Sequence, residues 1–313
     1  MLQYLIILLG KAITSYCHYE NKSKDSGLIP LNTLRRGIRY AMLENLMIQF
    51  VYPEASLPEE YAAVIESIDH SKIKPAGAPE VDDADVIVLD TLKGFSPITD
   101  KAYVLRQDKA AFFAEKEELG KVMSDATRLN VVITDLETMT EGELKQYRDT
   151  LHYLADVMEK AYVAGKSPQL NLLTDRMILD KMNNCDAGWK NITLAPNGKF
   201  YICPAFYHED DSDSVGDLDN GLDIKNPQLY RLDHAPLCRN CDAYQCKRCV
   251  WLNRKTTLEV NTPSHEQCVA AHHERNASRI LLNNIRKHGT FLPERDEIKE
   301  IDYLDPFDVR KEW

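Results

Sequence analysis

Seven of the eight cysteines in this 313-residue chain lie between residues 185 and 268 and carry its clearest chemical signal. Four of them fall in one short run, Cys238-Arg-Asn-Cys241-Asp-Ala-Tyr-Gln-Cys246-Lys-Arg-Cys249, and the other three are Cys185, Cys203 and Cys268. Cysteine thiolates are ligands of zinc and of iron–sulfur clusters. Since seven divides as four plus three, the sequence predicts one metal centre with a full set of thiolates and a second with an open coordination position.

The spacing within the run makes a single site crowded. Two Cys-x2-Cys pairs that share one zinc are usually separated by about 12 to 20 residues, whereas only four residues lie between Cys241 and Cys246. In bacterial ferredoxins the last cysteine of a compact run serves a different cluster. The same division here gives one centre with Cys238, Cys241, Cys246 and Cys268, and another with Cys185, Cys203 and Cys249.

Composition and charge narrow the class of protein. The net charge of −11 is unsuited to a nucleic-acid partner, which needs a basic surface. The apolar opening, residues 1–10, has no preceding basic residue and no small-residue cleavage site, and it is too short to span a bilayer. We therefore expect a cytoplasmic protein with no membrane partner. In a reducing cytosol, dense cysteines indicate metal binding more than disulfides. Zinc stays an alternative to iron–sulfur, because both use the same ligands.

The first part of the chain, residues 1–182, alternates strand-like and helical patterns. Apolar runs predict strands at residues 4–9, 46–51, 86–89, 130–134 and 169–174, and helical spacing predicts helices at residues 31–45, 57–68, 108–126 and 140–165. Buried strands separated by amphipathic helices are typical of a parallel α/β sheet. Five or six strands are too few for a complete eight-fold barrel, so we expect a partial parallel (βα) barrel.

A different pattern begins at about residue 183. Asn197-Gly198 lies between two strand-like segments and predicts a hairpin over residues 192–202. Ser264-His-Glu-Gln267 is a capping box that predicts a C-terminal helix ending near Gly289. Residues 183–289 are poor in apolar side chains, so we expect a small domain that depends on metal for its shape. Residues 290–313 are charged and predicted to form a C-terminal tail.

The cysteine-rich segment resembles the SPASM domain, the auxiliary-cluster domain of radical SAM peptide-modifying enzymes. It has the order Cys185-x12-Gly198-x4-Cys203, then Cys-x2-Cys-x4-Cys-x2-Cys, then a late seventh cysteine. The middle departs from the usual Cys-x5-Cys-x3-Cys by one residue in each gap. The resemblance implies two 4Fe–4S clusters: Cys185, Cys203 and Cys249 hold one, and Cys238, Cys241, Cys246 and Cys268 hold the other.

The first part of the chain resembles a radical SAM barrel without the motifs for its chemistry. Those enzymes bind their catalytic cluster through Cys-x3-Cys-x2-Cys after the first strand, but Thr14-Ser-Tyr-Cys17-His-Tyr-Glu-Asn21 has one cysteine. After the second strand, Phe50-Val-Tyr-Pro-Glu-Ala55 replaces their Gly-Gly-Glu-Pro type motif. We therefore do not expect S-adenosylmethionine to be a cofactor.

Taken as a whole, the chain is similar to the CXXX repeat peptide maturases. This resemblance implies a role in maturing a ribosomally synthesised, cysteine-rich precursor peptide, with a companion modification protein as a further partner. The clusters would transfer electrons or anchor a substrate thiolate. A non-catalytic adaptor that binds a leader peptide, with structural clusters or zinc, is the alternative, so whether the chain is an enzyme stays open.

Three other residues, Cys17, His272 and His273, are of types that can bind metal. Cys17 fits best as a small buried hydrophobic residue. His272 and His273 follow Cys268 on the predicted helix. Either could be the fourth ligand of the three-cysteine cluster, and packing is the simpler interpretation of both.

Overall fold

The computed structural model describes residues 2–182, 185–301 and 303–306. Its strands are β1 Tyr4–Leu8, β2 Met47–Val51, β3 Ser71–Pro75, β4 Val86–Leu89, β5 Ala102–Gln107, β6 Arg128–Ile133, β7 Gln169–Leu170, β8 Asn191–Leu194, β9 Phe200–Tyr201, β10 Gly216–Asp217 and β11 Gly221–Leu222. Its α-helices are α1 Leu31–Leu43, α2 Glu59–Ile65, α3 Lys109–Ala114, α4 Lys116–Asp125, α5 Glu141–Val163, α6 Asp175–Ile178, α7 Pro204–Glu209, α8 Val250–Thr257 and α9 His265–Ile285.

Internal packing divides the chain into two compact units, each made of two separate stretches. The first unit is Met1–Leu89 with Cys185–His234, and the second is Asp90–Asn184 with Ala235–Trp313. The predicted boundary between residues 182 and 183 falls where the described residues are interrupted. The division into domains 1–182, 183–289 and 290–313 therefore stays a prediction.

The first unit is built on a mainly parallel sheet in the order β4-β3-β2-β1-β8-β9. β1 is central and pairs in parallel with β2 on one side and with β8 on the other. β9 returns antiparallel to β8, so the predicted hairpin is confirmed. Gly198 forms its turn with φ +79°, a conformation that glycine adopts without strain.

The core of the first unit lies between this sheet and α1. Leu34, Gly37, Ile38 and Ala41 form the buried face of α1 at helical spacing. Leu5, Ile7, Phe50, Ile192 and Leu194 belong to the same buried cluster. The helix begins after Pro30 and ends before Asn45, which has φ 55°. The parallel α/β class predicted from the sequence is confirmed here.

The second unit contains a smaller parallel sheet in the order β7-β6-β5. Where the sequence predicts one helix over residues 108–126, the structure has α3 and α4. They are separated at Glu115, whose φ of −102° and ψ of 17° leave the helical range. In neither unit do the described strands close into a barrel.

Helices α5 and α9 pack against each other inside the second unit. Each begins with a capping box, at Thr140 with Glu143 and at Ser264 with Gln267, and the second is the one predicted above from the sequence. The buried side of α5 includes Leu151, Leu154 and Met158. α9, which carries Cys268 in its first turn, is thereby held against α5.

The described part of the predicted C-terminal tail contacts α9. Arg275 donates to the carbonyl of Lys299, and Nδ2 of Asn276 donates to the carbonyl of Ile301 at 3.3 Å. Ile298 and Asp305 are buried. The described residues of this segment, 290–301 and 303–306, are therefore part of the packed second unit. Among the described residues, no helix has both the length and the apolar character required to cross a bilayer.

Candidate metal centre

The cysteine run of the second unit folds into successive tight turns. Cys238 begins a single 3-10 turn, and the amide of Cys241 donates to its carbonyl at 3.1 Å. The amide of Ala243 points to Sγ of Cys241 at 3.5 Å, and the amide of Cys246 donates to the carbonyl of Ala243 at 3.0 Å. Backbone amides directed at sulfur are typical of thiolate metal sites.

Cys268 is brought to this run by α9. It lies in the first turn of the helix, where its amide donates to the carbonyl of Ser264 at 3.2 Å. The positive end of the helix dipole favours a thiolate at that position. The position agrees with the one expected from the capping box.

The pKa of each of the four thiols Cys238, Cys241, Cys246 and Cys268 is raised, and for all but Cys241 a neighbouring thiol contributes. Burial is the largest cause for each thiol. It raises the pKa of Cys238 to about 11 and, together with Cys238 and Cys241, that of Cys246 to about 12. Burial also raises the pKa of Cys268, and the other three thiols raise it by smaller amounts. A cationic centre would remove this obstacle to ionisation.

Arginines surround the same thiols. Arg248, between Cys246 and Cys249, is buried, and its charge lowers the pKa of Cys238. Arg275 and Arg176 lower that of Cys241. Such charges suit a cluster with four thiolates, whose overall charge is negative. The donor set and its surroundings therefore fit a 4Fe–4S cluster.

The thiols do not meet at one point. Within the described residues, no three His, Cys, Asp or Glu side chains are grouped so that they could hold a metal ion. A single zinc needs its sulfurs about 2.3 Å from one atom. A 4Fe–4S cluster instead takes one thiolate on each iron, so its ligands surround the cluster.

Asp242 links two of these arginines beside Cys241. Arg275 donates from Nε to Oδ1 at 2.7 Å and from Nη2 to Oδ2 at 2.6 Å, and Arg176 donates to Oδ2 at 3.1 Å. The guanidinium of Arg176 also stacks on the ring of Tyr244 at 4.4 Å. These residues form the floor of a cavity of about 710 Å³ that is walled by the segment 294–299. A cavity of this size accommodates a peptide segment.

The histidines considered as ligands take different positions. Nε2 of His272 lies 3.5 Å from Sγ of Cys241, beside the four-cysteine set. His273 is buried. Its pKa is lowered to about 4, chiefly by burial and to a smaller extent by the charges of Arg148 and His152. His273 thus matches the packing interpretation.

The remaining three predicted ligands divide between the units. Cys249 is the half-buried N-cap residue of α8 in the second unit. Cys185 and Cys203 belong to the first unit, where Cys185 is exposed and Cys203 precedes α7. Their assignment to one cluster stays a prediction.

Among the residues near these cysteines that the sequence analysis does not assign to the site, only Arg248 carries a local signal. Arg248 has a visible signal in retrospect, since a basic residue between two ligands is well placed to offset thiolate charge. Tyr16, Cys17 and Glu274 reach the cysteines only through tertiary packing. Cys17, expected to be a buried hydrophobic residue, is only half-buried and lies near other thiols.

A small cavity of about 200 Å³ lies at the carboxyl ends of β2 and β3. It is lined by Tyr52 and by the lysines Lys72 and Lys74. Nζ of Lys74 lies 4.8 Å from the centre of the Tyr52 ring and pairs with Asp83, which Lys72 also contacts at 2.8 Å. Paired charges thus occupy the carboxyl ends of these two strands.

Comparison with known proteins gives matches among solved structures. No protein-family model and no curated protein sequence matches the chain. The structure of native anSMEcpe with bound AdoMet and Cp18Cys peptide has a TM-score of 0.62 and 12% identity, covering 92% of this chain and 100% of that chain. Native anSMEcpe with bound AdoMet has a TM-score of 0.60 and 12% identity, covering 90% and 99%. At this identity the likeness shows the fold alone: the chain shares the mainly parallel α/β fold of these AdoMet-bound structures.

Proposed function

We propose that this protein is an iron–sulfur protein that acts in the maturation of a ribosomally synthesised, cysteine-rich precursor peptide. The observation that carries the proposal is that Cys238, Cys241, Cys246 and Cys268 lie near one another in the second unit, with Cys238 buried and the other three half-buried. The chain also shares its fold with anSMEcpe, whose structure contains a bound peptide named Cp18Cys. A cytoplasmic location suits both a reduced cluster and a newly made peptide.

The four thiolates would hold a 4Fe–4S cluster, which supplies one-electron chemistry when bound. This chain's own residues would position it: α9 presents Cys268, the turns present the other three, and Arg248 offsets their charge. Cys185, Cys203 and Cys249 are proposed as ligands of a second cluster. Electron transfer and anchoring of a substrate thiolate are the two roles proposed for this pair of clusters.

Peptide binding is proposed at the 710 Å³ cavity beside Asp242. Nε of Arg176 is buried there without a hydrogen-bond acceptor among the described residues. A backbone carbonyl of an extended peptide is a suitable acceptor for such a donor. The cavity is lined by residues next to the four-cysteine set, so a bound peptide would lie near the cluster.

Metal analysis of anaerobically purified protein tests the proposal. We expect about eight irons and a similar amount of sulfide per chain, with an electron paramagnetic resonance signal after reduction. Fewer than about four irons per chain contradicts the proposal. Stoichiometric zinc without sulfide supports the structural-zinc alternative.

A non-catalytic adaptor that presents a leader peptide to a companion enzyme is the second candidate. One observation favours it, the presence of Cys17 alone where radical SAM enzymes have three cysteines. Alanine at Cys246 separates the two candidates. If the variant binds peptide and remains folded but no longer supports modification, the cluster is functional. If modification by the companion enzyme continues unchanged without the cluster, the adaptor role is correct.

A further inference from the structure

The outer side of α1 carries a stripe of basic and apolar side chains. Arg35, Arg36, Met42 and Leu43 lie three or four residues to either side of Arg39, and all five side chains are exposed. Residues three and four apart are neighbours on a helix surface. The stripe therefore forms one continuous face, opposite to the face of α1 that is buried against the sheet.

The apolar end of the stripe is held in a fixed conformation. The amide of Leu46 donates to the carbonyl of Ala41 at 2.8 Å, and the amide of Asn45 donates to the carbonyl of Met42 at 3.3 Å. These are the two hydrogen bonds of a Schellman helix end. Among the described residues, three of the nine large hydrophobic side chains that are exposed fall within residues 42–47. A cluster of this kind indicates an interaction surface, whereas scattered apolar side chains do not.

The arginines of the stripe have little negative charge to neutralise them. The sequence of α1 contains three arginines and no Asp or Glu, although the chain as a whole has a net charge of −11. Arg36 pairs with Asp219 at 2.5 Å. Within the part of the chain that the structure describes, Arg35 and Arg39 have neither a hydrogen bond nor an ion pair. Two exposed guanidinium groups are therefore available to the carboxylates of a partner.

We infer that an acidic peptide segment with large apolar side chains docks on the exposed face of α1. This α1 surface consists of Arg35, Arg36, Arg39, Met42, Leu43 and Met47. The inference rests on the proposed function in one respect, because the precursor peptide is the partner expected to carry the segment. Carboxylates of the segment would pair with the arginines, and its apolar side chains would cover the methionines and the leucine. A second copy of this chain fits less well, since two molecules with a net charge of −11 repel each other.

Fluorescence anisotropy with a labelled synthetic peptide tests the inference on the 313-residue protein. The probe is an amphipathic peptide of roughly 15 residues with Glu and Leu on one helical face, and the comparison peptide has Lys in place of each Glu. We expect the protein to bind the probe more tightly than the comparison peptide. Binding should weaken as sodium chloride is raised from about 0.05 M to about 0.5 M, because salt screens exposed charges.

Variants locate the binding on α1. The Kd for the probe is expected to rise about fivefold in the double variant Arg35→Ala/Arg39→Ala and about tenfold in Leu43→Ser. The double variant Lys22→Ala/Lys24→Ala removes the same charge from an exposed loop of the first unit and is the matched control. Leu258→Ser replaces an exposed leucine of the second unit in the same way. Both controls should bind the probe as wild type does, and circular dichroism shows whether each variant is folded.

The outcomes separate the inference from the function on which it rests. Folded protein that contains about eight irons per chain but does not bind the probe contradicts the inference and leaves the proposed function standing. Protein that binds the probe as expected but takes up no iron contradicts the proposed function alone. Losses of affinity in the control variants equal to those in the α1 variants also overturn the inference.

Two further measurements test other occupants of the α1 surface. Vesicles with about one-third phosphatidylglycerol are sedimented with the protein. If the arginine variant loses vesicle binding but keeps probe binding, the surface contacts a membrane and the inference is wrong. If Leu43→Ser converts a dimer into a monomer in analytical ultracentrifugation, the surface joins two copies of this chain and the inference is likewise wrong.

Discussion

Oη of Tyr147 on α5 donates a 2.6 Å hydrogen bond to Oε1 of Glu274 on α9. On the other side of the carboxyl, Nε2 of Gln245 donates to Oε2 at 3.3 Å and to the carbonyl of Ala271 at 2.6 Å. Burial raises the pKa of Glu274 to about 7, although both hydrogen bonds act in the opposite direction. A carboxyl that titrates near neutrality is therefore built into the helix pair of the second unit.

The first prediction concerns the pH dependence of stability. Because the folded-state pKa of Glu274 lies above its ordinary value of 4.5, the folded chain binds more protons than the unfolded chain between those pH values. The free energy of unfolding contributed by this group therefore falls as pH rises through that window. Glu274→Gln removes this titration. The free energy of unfolding of the variant minus that of wild type is therefore expected to increase by roughly 1–3 kcal/mol from pH 5 to pH 8.

Urea unfolding at the two pH values measures this difference. Glu259→Gln replaces an exposed carboxylate of the same unit and is the control. It is expected to follow the wild-type profile. A Glu274→Gln profile parallel to wild type contradicts the prediction.

The capping box of α9 gives a second prediction. Oγ of Ser264 accepts from the amide of Gln267 at 3.4 Å, and Oε1 of Gln267 accepts from the amide of Ser264 at 2.8 Å. Ser264→Ala is expected to lower the free energy of unfolding by about 1 kcal/mol, and Ser264→Asp to restore most of it. Equal losses in the two variants would show that the hydroxyl does not act as a cap.

Two glycines provide a matched pair for the third prediction. A Cβ at Gly37 in α1 would lie 2.3 Å from Cδ2 of the buried Leu194, whereas at Gly142 in α5 the only near atom is Oγ1 of Thr140 at 4.0 Å. Gly37→Ala is expected to cost about 1–3 kcal/mol through overpacking. Gly142→Ala should be neutral or stabilise by a few tenths of a kcal/mol, up to about 1 kcal/mol. Thermal unfolding checks both, and similar melting temperatures would count against close packing at Gly37.

Metal removal gives the fourth prediction. The turns that carry Cys238, Cys241 and Cys246 have few elements of regular structure, so they depend on ligation for order. After iron is chelated under anaerobic conditions, trypsin is expected to cleave after Arg239 and Lys247 at least tenfold faster than in the iron-loaded protein. Mass spectrometry of the early fragments measures the rates. Cleavage at Lys93, distant in sequence from these cysteines, is the internal control, and equal acceleration there would indicate general unfolding instead.

The sequence predicted those elements whose pattern is local. The run at residues 4–9, the helical face from Leu34 to Ala41 and the Asn197-Gly198 turn all depend on neighbouring residues, and each has its expected structure. The sequence does not predict β3, because Ser-Lys-Ile-Lys-Pro is mostly polar. Lys74 is nevertheless buried there, since Asp83 and the Tyr52 ring compensate its charge. Such compensation comes from distant residues and leaves no periodic signal.

The candidate site likewise has features that local sequence patterns predict and features that depend on contacts between distant residues. The grouping of Cys238, Cys241 and Cys246 follows from spacing, and Cys268 follows from a capping box, so these could be inferred from the sequence. The parallel pairing of β8 with β1, and the approach of Cys17 to Cys203, join residues far apart in the chain. No local pattern records which distant segment a strand or loop will contact, so neither could be predicted.

The central position of β1 has a consequence for biosynthesis. One edge of this strand is covered by β2, which leaves the ribosome soon after it, but the other edge pairs with residues 191–194. β1 thus keeps one unpaired edge until residues 191–194 have been translated. Nascent chains stalled before residue 191 should therefore recruit chaperones, and release should follow once the hairpin emerges.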